Sequence, residues 1–87
     1  MREMFDSSIR SAGDLAGVFE FDGDASYFYL YRVDADEGSK VIDSIKIGVG
    51  TPPFLESEVD ILWSKDDRLV FLQVAGNIVA TFDCGER

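Results

Sequence analysis

The chain has 87 residues, 46% hydrophobic and 13% aromatic, with 17 acidic and 8 basic side chains and a formal charge of −9. That length makes one domain, and the apolar fraction excludes a wholly disordered chain. The basic residues are scattered, which excludes the clustered positive surface that nucleic acid or an anionic membrane requires.

Residues 1–16 read differently from the rest. Phe5, Ile9, Ala12 and Ala16 fall at helical spacing, with Asp6 or Ser7 available as a cap. Ser7, Ser8, Ser11 and Gly13 oppose a helix interior. The expectation is a short helix or an extended arm over 1–16, followed by a single antiparallel β domain over 17–87.

From Leu15 the pattern is β. Gly17-Val-Phe-Glu-Phe21 and Ser26-Tyr-Phe-Tyr-Leu-Tyr-Arg-Val33 flank Asp22-Gly23-Asp24, a strong hairpin signal. An acidic turn, 34–39, leads into Lys40-Val-Ile-Asp-Ser-Ile-Lys-Ile47. The stretch 48–57 carries Gly48, Gly50, Pro52 and Pro53 and reads as irregular. Three apolar runs then fill 58–83, separated by Lys65-Asp66-Asp67 and by Gly76-Asn77. The predicted fold is all-β, or β-rich α+β: an antiparallel meander of about six strands, strongly twisted or curled. No connection has room for a crossover helix. Phe19, Phe28, Leu30, Ile45, Ile61, Trp63, Phe71, Leu72 and Phe82 are expected in or near the core. Strand 68–75 is apolar at both parities, so cover is expected on both faces, from a curled sheet, the N-terminal arm or a second subunit.

No motif in the sequence carries chemistry. Histidine is absent, which removes Cys–His and Ser–His pairs and the commonest zinc ligand. Cys84, the only cysteine, excludes an internal disulfide, and with Asp83 and Glu86 beside it reads as an inert thiol. The runs from Asp22 and from Asp34 begin like calcium loops but place Tyr27 and Ser39 where the sixth-position glycine belongs, so they read as solvated turns. Trp63-Ser64-Lys65-Asp66-Asp67 reads as hairpin chemistry with Trp63 as an anchor. Asp43, on the side of Val41, Ile45 and Ile47, is a candidate general acid or base with Glu20 or Asp22, set against the commoner role of accepting backbone N–H groups. No cofactor, metal or catalytic residue is expected.

Tyr27, Tyr29 and Tyr31 recur at period two and share one face of a strand. Tyrosine buries a large ring while its hydroxyl stays wet, which suits an interface. A stripe packed beneath the arm, or along the rim of a curled sheet, is the structural alternative. These three residues are the candidate interaction surface.

Phe19-Glu-Phe-Asp-Gly-Asp24, Tyr27-Phe-Tyr29, Val41-Ile-Asp-Ser-Ile45, Ile61-Leu-Trp-Ser64 and Ala80-Thr-Phe-Asp83 together resemble a family of small bacterial proteins catalogued only as a domain of unknown function. The resemblance spans most of 17–83 and implies a small, soluble, β-rich bacterial domain, with no site residues to carry over. The expected function is a non-catalytic protein-binding module, for example a regulator or neutraliser of a basic partner. A structural homo-oligomer, in the form of a homodimer, is the first alternative, and a carboxylate-based hydrolase the second. The N-terminus lacks the apolar core of a signal peptide and no run approaches the ~20 residues that span a bilayer, so a cytoplasmic location is expected.

Overall fold

The computed structural model describes residues 3–35 and 40–85. Seven strands form two antiparallel sheets: β1 (Met4–Ile9), β2 (Leu15–Phe21), β3 (Ala25–Arg32) and β4 (Val41–Val49) in one, β5 (Val59–Trp63), β6 (Leu69–Val74) and β7 (Asn77–Asp83) in the other. Both sheets run in chain order and neither closes on itself. They stack as a slab whose principal extents are 34 × 30 × 17 Å.

Alternation decides what lies between the sheets. Phe19 and Phe21 of β2, Phe28 and Leu30 of β3, and Val70 and Leu72 of β6 are fully buried there. Phe28 stacks on Phe82 with centroids 5.0 Å apart, which sets β3 above β7. Gly17 permits the close approach at the centre. A Cβ there would lie 2.7 Å from Val70 Cγ2 and 2.9 Å from Ile61 Cγ2. Cys84 is buried beside the core just after β7.

The turns follow the local chemistry. Asp22 Oδ1 accepts the N–H groups of Asp24 and Ala25 at 2.9 Å each, folding the β2–β3 hairpin around Gly23 at φ 98°. Ser64 Oγ donates to Asp66 Oδ1 and accepts from the Leu69 N–H, so the Trp63-Ser64 segment is hairpin chemistry as read. The β6–β7 turn is centred on Ala75 and Gly76, with φ 50° and 86°, and Asn77 already belongs to β7. This corrects the Gly76-Asn77 reading by one residue. A type I′ two-residue turn needs positive φ at both centres and matches the twist of the strands it joins.

Two expectations change more. The N-terminal segment takes the extended alternative and not the helix: it is strand β1, paired with β2 from Met4↔Phe21 to Ile9↔Ala16. A spacing of four fits both periods, and Phe5 and Ile9 share a face with Ser7 between them. The Arg10–Leu15 turn, closed by Arg10 N–H to the Leu15 carbonyl with Gly13 at φ 80°, makes the hairpin. The second change concerns β6, which is covered on one face only. Val70 and Leu72 face the core, whereas Leu69, Phe71 and Gln73 are half-buried on the outside. Phe71 is therefore not a core residue. The cover comes from stacking two open sheets rather than from curling one.

Trp63 sits at the rim of the core and donates its Nε1–H to the Ser8 carbonyl at 3.0 Å, tying β5 to β1. Arg10 holds Asp14 through both carboxylate oxygens and also reaches the Asp67 carbonyl, while Ser11 donates to the Asp67 carboxylate. The β1–β2 and β5–β6 turns are thereby joined at one end of the slab.

Candidate functional site

The outward face of the four-stranded sheet is organised by register. Phe5, Glu20, Tyr27 and Lys46 form one row across β1 to β4. Ser7, Val18, Tyr29 and Ser44 form the second, and Ile9, Ala16, Tyr31 and Val41 the third. The tyrosine stripe lies in the column of β3. Tyr27 and Tyr29 stack at 5.7 Å, and the Lys40 ammonium sits 5.9 Å from the centre of the Tyr31 ring.

Ala16 and Val18 point outward, yet they are only 4% and 8% exposed. The larger side chains of the flanking strands shade them. Phe5 and Ile9 rise on one side and Tyr29 and Tyr31 on the other, leaving an open groove of about 520 Å³ that ends near Lys40 and Val41. The upper parts of its walls are wet: Phe5, Ile9 and Val41 are each more than half exposed. Burial raises the Tyr29 phenol above its ordinary pKa, and the Glu20 carboxylate beside it adds to the shift. The hydroxyl therefore stays protonated and able to donate throughout the physiological range.

The three tyrosines are thus brought together on one face. The candidate carboxylates are not. Glu20 projects from the outward face and Asp43 shares the row of Leu30 on the inward side. Asp22 is held in the β2–β3 turn, where the N–H groups of Ala25 and Asp24 lower its pKa. Asp43 Oδ1 accepts the Ser44 N–H at 2.9 Å. A second concavity, about 490 Å³ between β1 and the 55–59 segment, holds Asp6 and Glu56. Both accept backbone N–H groups, from Ser7 and Phe5 respectively.

Among the described residues no three His, Cys, Asp or Glu side chains cluster as metal ligands, and no helix is long and apolar enough to cross a membrane. Most of the acidic run that follows Asp34 lies outside the described residues.

Sequence reasoning found the ridge and missed the floor. Ala16, Val18 and Glu20 alternate with Leu15, Gly17, Phe19 and Phe21 at period two, and that alternation was the available signal. Phe5 and Ile9 were hidden by the helical reading of the same spacing.

No curated protein and no solved structure matches the chain. A family model does, over residues 2–87, with the description of an uncharacterised protein conserved in bacteria. The match includes the N-terminal strand that the resemblance in 17–83 left out, and the chain belongs to that family, DUF2251.

Proposed function

We propose that this protein is a non-catalytic, cytoplasmic protein-binding module whose recognition surface is the outward face of the four-stranded sheet. One observation carries the reading: Ala16 and Val18 floor an apolar groove walled by tyrosine, phenylalanine and isoleucine on a chain of charge −9. Contiguous apolar surface of this kind marks interaction sites on soluble proteins. Tyrosine supplies much contact area with few rotatable bonds, and its hydroxyl can satisfy a partner's polar groups. The twelve positions of the face hold one acid, Glu20, and one base, Lys46, so the excess negative charge lies elsewhere. That remaining surface favours a basic protein as a further partner, steered by long-range attraction. Glu20 and Asp43 lie on opposite faces of the sheet and Asp22 is engaged by turn N–H groups, which supports the non-catalytic reading over a carboxylate hydrolase.

A photo-crosslinking residue in place of Ser44 tests the face, with the same group in place of Thr81 on the outside of the smaller sheet as control. The expected result is a protein adduct in bacterial cells from the Ser44 position and none from Thr81. No adduct from Ser44, or equal adducts from both, refutes the reading.

A further inference from the structure

The outward face complements itself in shape. Along β2 the outward Val18 and Ala16 are small and shaded, and along the neighbouring β3 the outward Tyr27, Tyr29 and Tyr31 are large. A furrow over Val18 and Ala16 therefore runs beside the tyrosine ridge. Resting on the reading of this face as an interface, we infer that its occupant is a second copy of the chain, packed face to face about a two-fold axis parallel to the strands and midway between β2 and β3.

That axis lays each ridge in the partner's furrow while keeping the rows in step. Tyr31 then covers the partner's Ala16, the smallest outward side chain of β2, and Tyr29 covers the partner's Val18. Ile9 meets the partner's Val41. In the first row Glu20 lies over the partner's Tyr27 and next to the partner's Lys46, and by symmetry these contacts occur twice. A two-fold axis perpendicular to the strands would instead exchange the first and third rows. Glu20 would then face the partner's Ala16 and be desolvated away from the partner's Lys46, with only its own Tyr29 hydroxyl beside it, which is unfavourable. The charges on the face therefore select one of the two symmetric dockings.

The whole chain carries −9, yet this face holds one acid, Glu20, against two bases, Lys46 and, at its edge beside Tyr31, Lys40. Two copies can meet here without placing like charges opposite each other. Twisted sheets packed face to face settle near 30° to each other, which keeps the central columns in contact.

The test is the mass in solution with a charge-swap series. Light scattering over a micromolar-to-millimolar series should give 19.4 kDa, twice the 9.7 kDa chain. Glu20→Lys alone, or Lys46→Glu alone, should raise the dissociation constant about tenfold by opposing like charges. The double variant should recover most of the loss, with circular dichroism and melting temperature confirming the fold of each. A wild-type mass of 9.7 kDa, or a dimer indifferent to both single swaps, overturns the inference. The crosslink at Ser44 separates this inference from its parent. An adduct with a different protein keeps the face as an interface and removes the second copy, whereas no adduct removes both.

Discussion

Replacing Gly17 by alanine reverses the usual sign of a Gly→Ala change. In an unstrained strand position alanine restricts the unfolded chain and stabilises by about 0.4–1 kcal/mol. At Gly17 the new methyl would meet Val70 Cγ2 at 2.7 Å, Ile61 Cγ2 at 2.9 Å and Phe28 Cε1 at 3.3 Å. Comfortable carbon contacts begin near ~3.5 Å. Val70 and Phe28 are fully buried, and β-branched side chains hold few rotamers, so the neighbours have little room to yield. The sheets must part locally, at about 1–3 kcal/mol for overpacking a core. The net expectation is a loss of about 1–2 kcal/mol, or roughly 5–15 °C in melting temperature for a domain of this size. Gly48 is the internal control: nothing lies within 4 Å of its added Cβ, so Gly48→Ala should be neutral or mildly stabilising. Urea and thermal unfolding followed by Trp63 fluorescence give both values. If Gly17→Ala is no less stable than Gly48→Ala, the close inter-sheet approach at β2 is wrong.

The Arg10 guanidinium, by hydrogen bonding to Asp14, lowers that carboxyl to a pKa of about 2. A depressed folded-state pKa means stability that is present above pH ~4 and lost as the pH falls through the folded value, so Asp14→Asn should flatten acid unfolding between those limits. Trp63→Phe removes the Nε1–H bond to the Ser8 carbonyl and should cost about 1 kcal/mol in urea unfolding, with little change in the sheet spectrum. A spectrophotometric titration should show a tyrosine ionising above the ordinary phenol range, and Tyr29→Phe should remove that late step. Self-association of a −9 chain through a face without excess negative charge should tighten as salt rises from about 20 to 200 mM, because screening relieves the repulsion between the rest of the two chains, whereas binding of a basic partner should weaken. Sedimentation at the two ionic strengths reads the sign.

The antiparallel all-β fold was legible because period-two alternation and turn residues are local signals. Asp22-Gly23 and the Ser64–Asp67 turn bent where their chemistry required. What was not legible depended on partners distant in sequence. Phe5 and Ile9 satisfy a helical and an extended period equally, and only the pairing of β1 with β2 decides between them. Phe71 has the composition of a core residue but faces outward, because Val70 and Leu72 take the inward parity of β6. The tyrosine ridge was visible as a stripe. Its meaning as one wall of a groove required the register that places Ala16 and Val18 beside it.

The acidic composition has a structural use that the sequence alone did not suggest. Asp6, Asp22, Asp43, Glu56, Glu58, Asp66 and Asp83 each accept a backbone N–H. At least seven of the seventeen carboxyl groups thus serve turns and strand edges, which weakens charge alone as evidence for a basic partner. The placement matters more than the count. Exposed edges invite another chain to add a strand, and inward-pointing charges and bulges are how proteins refuse it. On β1 the Phe5 and Ser7 N–H groups are met by Glu56 and Asp6. On β4 the Ser44 N–H is met by Asp43, and two register shifts distort its pairing with β3. Edge pairing is disfavoured at each of these strands by a named group. The outward face of the four-stranded sheet has no such device, and its freedom from excess negative charge on an acidic chain is what an association surface requires.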